Sequence, residues 1–271
     1  MNPLLRTALD AAEAAAWVQR RDAARVATGG AKGVVEKGRA DYVSQTDLDA
    51  QEAALVVIRK RYPNHEVLAE EDAESVEARL RRWDGRPLWI VDPLDGTTNF
   101  LHSIPQFAIS IALQRSDAIV AALVYNPVTD ELFTAERGKG AFLNDTRLRV
   151  AARQRLADAV IACPIPHRGR GDVALGNREL AAVQPHVAGL RRFGAAALDF
   201  AWVAAGRTDG YWERNLSPWD IAAGLLLVRE AGGFVTDLDG GDAMLSKGHV
   251  VAGNEAMHRE LLAVLRPAAK D

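Results

Sequence analysis

The sequence predicts two structural classes in one chain: an α+β N-terminal half on an antiparallel sheet, and an α/β C-terminal half on a mixed sheet. Three observations carry this. Apolar runs at residues 107–113, 118–125 and 131–135 follow one another with only turn residues between them, as hairpin-connected strands do. Beyond residue 159, short apolar runs alternate with helical stretches, the pattern of an α/β unit. The chain has 271 residues, 48% of them hydrophobic, enough for two modest halves with a sizeable core. The boundary falls near residue 150, without a clear linker, giving segments 1–150 and 151–271.

The elements follow in order. Asn2-Pro3 reads as an N-cap with proline at the first helical position. It opens an alanine-rich helix to about Val26, with Leu5, Leu9, Ala12 and Ala16 at helical spacing. Gly29-Gly30 ends it, and the glycine- and lysine-rich residues 29–40 read as a mobile loop. A second helix begins at Asp47 and runs through Arg61, with Leu48, Leu55 and Ile58 facing inward. Pro63-Asn64 turns the chain into a short strand, Glu66 to Ala69, which ends at Glu70-Glu71-Asp72. Leu88 to Val91 is a buried strand. The three runs named above and a hairpin over 138–145 complete an antiparallel sheet with helices on one side. In the second half, strands are expected at 159–163, 187–193, 210–213, 234–237 and 249–252. Helices are expected at 176–184, 195–205 and 217–230, and Asn254 caps a closing one.

Composition removes several function classes. A net charge of −3 provides no global basic field for nucleic acid or an anionic membrane. A single cysteine, Cys163, excludes an internal disulfide framework and a multi-cysteine zinc site. Flanked by Ile161, Ala162 and Pro164, it reads as a buried, inert thiol suited to a reducing cytoplasm. No signal-peptide pattern opens the chain, and no apolar run reaches the length of a membrane span. The six histidines show no pair at metal-ligand spacing on a helix. Dinucleotide, Walker A and serine-hydrolase motifs are missing.

The chemistry concentrates in Leu88-Trp89-Ile90-Val91-Asp92-Pro93-Leu94-Asp95-Gly96-Thr97-Thr98-Asn99-Phe100. A buried strand ends in two carboxylates, hard oxygen ligands of the kind Mg²⁺ takes. Gly96-Thr97-Thr98 then opens a helix whose first N–H groups favour a phosphate. Asp-Pro and Asp-Gly are also ordinary turn dipeptides, so the motif is specific only as a whole. Further acids sit at element ends: Asp47 at a helix start, Glu70 at a strand end, Asp220 in a helix's first turn. Ser217-Pro218-Trp219-Asp220 reads equally as a capping box, and Ser44 or Thr46 offers Asp47 the same role. A covalent phosphatase of the haloacid-dehalogenase type carries D-x-D after its strand; here two residues separate Asp92 from Asp95, which argues against an aspartyl nucleophile.

The chain resembles the inositol monophosphatase family of Mg²⁺-dependent, lithium-sensitive sugar phosphatases. Asp92-Pro93-Leu94-Asp95-Gly96-Thr97-Thr98-Asn99-Phe100 matches its first signature, D-P-[IL]-D-G-T-x-N-F. Trp219-Asp220 with Ala222-Ala223-Gly224 and Glu230-Ala231-Gly232-Gly233 matches the second. Thr46-Asp47, Glu70-Glu71, Gly140-Ala141-Phe142 and Arg192 to Ala196 fall in the family's order, so the resemblance covers nearly the whole chain. The resemblance implies a layered αβαβα sandwich of the sugar-phosphatase type, usually a homodimer. It implies two or three Mg²⁺ ions: Glu70, Asp92 and the Leu94 carbonyl around the first, and Asp92, Asp95 and Asp220 around the second. Asp47 would orient Thr97, which positions the attacking water, and the N–H groups of Gly96 and Thr97 would hold phosphate. Asp95, Asp220, Glu213 and the backbone of Gly194, Ala195 and Ala196 would meet the substrate's hydroxyls. Side chains 47, 70, 92, 95 and 220 are thus expected to share one small pocket.

Two positions depart from the pattern or stay open: Ala69 replaces the usual glycine, and the family's loop lysine could be Lys37 or Lys32. Inositol 1-phosphate is the substrate expected. Histidinol phosphate, fructose 1,6-bisphosphate and 3′-phosphoadenosine nucleotides are same-chemistry alternatives. A regulatory factor contacting RNA polymerase is the alternative of another class, and the sequence marks no surface for it.

Overall fold

Strands buried on both faces set the architecture, because each must meet an apolar layer above and below it. The computed structural model describes residues 2–27, 35–38, 41–72, 75–166 and 171–269. The first half comprises α1 (Pro3–Ala27), β1 (Val35–Gly38), β2 (Asp41–Val43), α2 (Gln45–Arg61), β3 (Glu66–Ala69), α3 (Val76–Arg82), β4 (Leu88–Asp95), α4 (Thr97–Leu101), β5 (Ala108–Arg115), β6 (Ala118–Asn126), β7 (Glu131–Glu136), β8 (Gly140–Leu143) and β9 (Thr146–Arg147). The second comprises β10 (Val160–Ala162), α5 (Val173–Val183), β11 (Gly189–Arg191), α6 (Ala196–Ala204), β12 (Gly210–Glu213), α7 (Pro218–Glu230), β13 (Phe234–Thr236), α8 (Met244–Lys247), β14 (Val250–Gly253) and α9 (Glu255–Ala268).

Among the described residues, β3 to β9 form a seven-stranded sheet in sequence order, and a five-stranded sheet has the order β11-β10-β12-β14-β13. The first is antiparallel except for its parallel β3–β4 pair. The second is mixed: β10 runs parallel to β11 and β12, while β14 is antiparallel to β12 and β13.

Side chains that alternate along a strand divide between the layers. In β4, Trp89 and Val91 join the alanine faces of α1 and α2, including Ala8, Ala12, Ala50 and Ala54. Leu88 and Ile90 point the other way, into a core shared with α6, α7 and the second sheet. In β12, Tyr211 belongs to that central core, whereas Trp212 packs outward with Val183, Leu261 and Leu265 of α5 and α9. The layers therefore run α1/α2, first sheet, α6/α7, second sheet, α5/α9: the αβαβα sandwich. Helix α7 is buried from Ile221 to Val228 because it has a sheet on either side.

Several expectations change. The first sheet is covered by helices on both faces, since β4, β5 and β6 are apolar on both. Leu48 does not face inward and is 43% exposed. The buried stripe of α2 comprises Thr46, Asp47, Ala50, Gln51, Ala54, Leu55 and Ile58; Leu48 is turned a further step of about 100° beyond Asp47, out of that stripe. Residues 35–38, inside the loop expected at 29–40, instead form a strand that pairs antiparallel with residues 41–43. Residues 29–34, with Lys32, and residues 39–40 lie outside the described residues. Among the described residues, no helix is long and apolar enough to cross a membrane.

Candidate active site

The site starts with an irregularity in β4. Asp92 pairs with Ser110 of β5 and Asp95 with Ala108, so three steps along β4 oppose two along β5. This is a one-residue bulge. Residues three apart on a regular strand face opposite sides; the bulge restores parity and turns both carboxylates to the face that carries α6 and α7. Pro93 has no N–H to lose from the ladder, and its carbonyl accepts a bond from buried Gln19 Nε2 at 2.7 Å. The Leu94 N–H donates to Asp92 Oδ1 at 2.9 Å, closing the turn between the two acids.

Two further acids do double duty. Asp220 closes the capping box of α7: its Oδ2 accepts from the Ser217 N–H at 2.8 Å. The same side chain has a ligand oxygen within 4.8 Å of those of Asp92 and Asp95. Ser110 Oγ donates to the Trp219 carbonyl at 3.1 Å, pinning the start of α7 beside the bulge. Asp47 likewise accepts from the Ser44 N–H through Oδ2, while its Oδ1 accepts from the Thr97 hydroxyl at 2.9 Å. Capping and site-building are therefore not alternatives here: Asp47 uses one oxygen for each, and the capping carboxylate of Asp220 also belongs to the acidic cluster.

The opposite wall belongs to the second half. Asp95 Oδ2 accepts from the Ala197 N–H at 2.7 Å, so a strand carboxylate from the first half caps α6, whose own N-cap, Ala195, cannot. Gly96 has φ +93°, and a Cβ there would lie 2.9 Å from the Gln106 carbonyl oxygen. Gly194 has φ +83°, and Asn99 Nδ2 ties this loop to α4 by donating to Gln106 O at 2.7 Å and Phe193 O at 2.8 Å. Glu213 of β12 accepts from the Tyr211 hydroxyl at 2.6 Å.

Burial, then the negative charges of Glu70, Asp95 and Asp220, raises the Asp92 pKa well above the usual carboxylate range. Burial and Asp220 push Asp95 up to about 7, against the lowering effect of the Ala197 N–H. Burial also raises Asp47, opposed by its bonds from Ser44 and Thr97. Three buried carboxylates drawn this close need a proton or a cation between them. Their donor set is all hard oxygen, which fits a divalent ion such as Mg²⁺.

Three comparisons bear on this geometry. Residues 1–270 match the model of the inositol monophosphatase family. The chain belongs to that family. An inositol-1-monophosphatase of Mesorhizobium japonicum is 57% identical over 232 residues, 85% of either chain. A Pseudomonas aeruginosa protein named Nus factor SuhB is 43% identical, with 98% of this chain and 97% of that one covered. The crystal structure of the extragenic suppressor protein suhB from Bartonella henselae superposes with a TM-score of 0.89 at 48% identity, covering 98% of this chain and 99% of the other. The chain is thus a phosphatase of the inositol monophosphatase family, with that family's fold.

Of the expected residues, Asp92, Asp95 and Asp220 form the cluster. Glu70, half-buried just after β3, lines the same cavity as Asp92, and its negative charge is among the causes that raise the Asp92 pKa. Leu94, Gly96, Thr97, Gly194, Ala195, Ala196 and Glu213 line the same cavity. Asp47 does not line it; Thr97 stands between, because Asp47 is on the far side of the bulge in the buried stripe of α2. Ala196 N–H faces Asp95, which leaves it less free for a substrate hydroxyl than expected. Cys163 is buried as anticipated, and burial pushes its thiol up to about 12.

Residue-by-residue reading missed Asp199, which also lines the cavity. A signal was present: it is the only charged residue in the otherwise apolar stretch from Ala195 to Ala205.

Proposed function

We propose that this family member is a Mg²⁺-dependent phosphatase acting on a phosphorylated polyol, with inositol 1-phosphate the preferred ester. The observation that carries the reading is the buried cluster of Asp92, Asp95 and Asp220, with ligand atoms within 4.8 Å of one another. In this reading Glu70, Asp92 and the Leu94 carbonyl hold one ion, and Asp92, Asp95 and Asp220 hold another. Divalent cations held there supply the acidity that makes water a nucleophile near neutral pH and the charge that steadies the departing oxygen. The chain's own groups position the reactants. Thr97, aligned by Asp47, holds the attacking water in line with the ester bond. The N–H groups of Gly96 and Thr97 hold the phosphate. Glu213, with the backbone at Gly194 and Ala195, accepts and orients hydroxyls of the alcohol; Asp95 and Asp220 approach its ester end. Residues 1–150 then supply every proposed metal ligand except Asp220, and 151–271 add Asp220 and complete the substrate site. The name of the Mesorhizobium japonicum relative supports inositol 1-phosphate. Glu213 disfavours esters with a second phosphate, such as fructose 1,6-bisphosphate and 3′-phosphoadenosine nucleotides, by charge repulsion.

The test is phosphate release from inositol 1-phosphate, histidinol phosphate, fructose 1,6-bisphosphate and a 3′-phosphoadenosine nucleotide, with Mg²⁺ and with added Li⁺. The expected result is fastest turnover of inositol 1-phosphate, dependent on Mg²⁺ and inhibited by Li⁺. Preference for histidinol phosphate overturns the substrate assignment. The relative named Nus factor SuhB favours a second reading, a protein that also contacts RNA polymerase. Capture of RNA polymerase by Asp95→Asn protein, inactive on all esters, would support it.

A further inference from the structure

Most acids around this cavity have a partner within the protein. Asp92 takes the Leu94 N–H, Asp95 the Ala197 N–H and Asp220 the Ser217 N–H. Glu213 takes the Tyr211 hydroxyl, and Glu179 takes Arg214 Nε at 2.7 Å. Asp199 differs. It is 3% exposed, and its Oδ1 is the one buried carboxylate oxygen without a hydrogen-bond partner among the described residues. Leaving such an acceptor unmade costs stability, so a native protein that keeps one needs a reason for it.

Its position supplies the reason. Asp199 lies in the first turn of α6, just beyond the N–H groups that grip Asp95, and lines the cavity. The charges nearest it are the carboxylates of Glu213 and Asp95 and the guanidinium of Arg192, and all three residues line the same cavity. A carboxyl group with an unused oxygen, beside a second carboxylate, is matched by hydroxyl groups, which can donate to both.

We propose that Asp199 is a specificity-determining residue: with Glu213 it binds hydroxyls of the alcohol portion, selecting polyol monophosphates over esters of alcohols without further hydroxyls. This rests on the phosphatase reading above and adds a residue and a selection rule to it.

The experiment compares wild type, Asp199→Ala and Asp199→Asn on inositol 1-phosphate and on phenyl phosphate, which has no other hydroxyl. A second readout is the rise in melting temperature caused by free myo-inositol. For Asp199→Ala, kcat/KM on inositol 1-phosphate should fall about tenfold or more, the worth of a hydrogen bond to a polar group. The phenyl phosphate value should stay within about twofold. Its melting temperature should be no lower than wild type's, since an unpaired buried group has been removed, and myo-inositol should no longer raise it. Asp199→Asn keeps the shape and an acceptor oxygen and should retain most of the preference. An unchanged ratio between the two esters in Asp199→Ala overturns the proposal, as does an equal loss on both or a loss of folding, which would make Asp199 structural. Wild type inactive on every ester would sink the phosphatase reading instead. Myo-inositol protection lost in Asp199→Ala would still support the hydroxyl-binding role, and protection retained would overturn it.

Discussion

Asp47 and Asp220 each serve a helix cap and the site with one side chain, and this double role predicts how substitutions behave. Asparagine at 220 keeps an acceptor for the Ser217 N–H while removing one of three crowded charges. Phosphate release by Asp220→Asn or Asp92→Asn should fall by more than about 10²-fold, with the metal-free melting temperature unchanged or raised. Wild-type activity in either variant overturns the ligand assignment. Asp47 acts one residue further back, through the Thr97 hydroxyl. Asp47→Asn and Thr97→Val should each cost about 10- to 100-fold in turnover, as orienting groups do. Their combination should cost little more than either alone, because both break one chain of contacts. Additive losses would place the two residues in separate roles.

At the scale of elements, the β4 bulge and the loop after it are the parts least tolerant of change. Gly96 combines a left-handed backbone with backbone atoms close to where a Cβ would be: Gln106 O at 2.9 Å and Phe107 Cα at 3.3 Å. Gly96→Ala should destabilise by roughly 1–3 kcal/mol, read as a lower urea midpoint, and should impair turnover as well. Gly224 answers to packing, although it belongs to a family signature. A Cβ there would lie 2.3 Å from Phe200 Cγ, where α6 and α7 cross between the sheets. Gly224→Ala should cost about 1–3 kcal/mol through overpacking; an unchanged urea midpoint would show that the two helices can move apart. Much at this scale was legible in the sequence, because caps, strand runs and turns are short-range. Asn2 caps α1 and Asn254 caps α9, and both capping boxes stood in the order of residues. The bulge was not legible: D-P-x-D carries no sign of which strand lies opposite or in what register.

For the whole molecule, the acidic cluster links stability to pH and metal. Burial holds Asp95 at about 7 and Asp92 above the usual range, so the folded protein retains protons that the unfolded chain releases near pH 4. From about pH 4 through 7 the unfolded state therefore binds fewer protons, and metal-free stability falls as pH rises, opposite to a salt-bridged carboxylate. Mg²⁺ binds the folded, deprotonated site and should restore that stability. Melting temperature should rise more on adding Mg²⁺ at about pH 8 than at about pH 5. An equal or reversed rise would mean that the cluster does not take up the ion. The convergence behind this effect joins β4 of the first sheet, α7 between the sheets and α6 capped across the gap. No local pattern contains it.

Although β1, α3 and α8 were not legible in it, the chain's own order of residues determined most of the helices and strands, the acids at their ends and, through two signatures, the family. Those features depend on neighbours a few positions apart, where spacing along the chain is also spacing in space. Tertiary structure alone decided that both faces of the first sheet are covered, that Asp47 stands behind Thr97, and that Asp199, a residue of the cavity lining, keeps an unpaired buried oxygen. Each of those depends on which layer packs against which, and apolar burial sets that between segments far apart in the sequence.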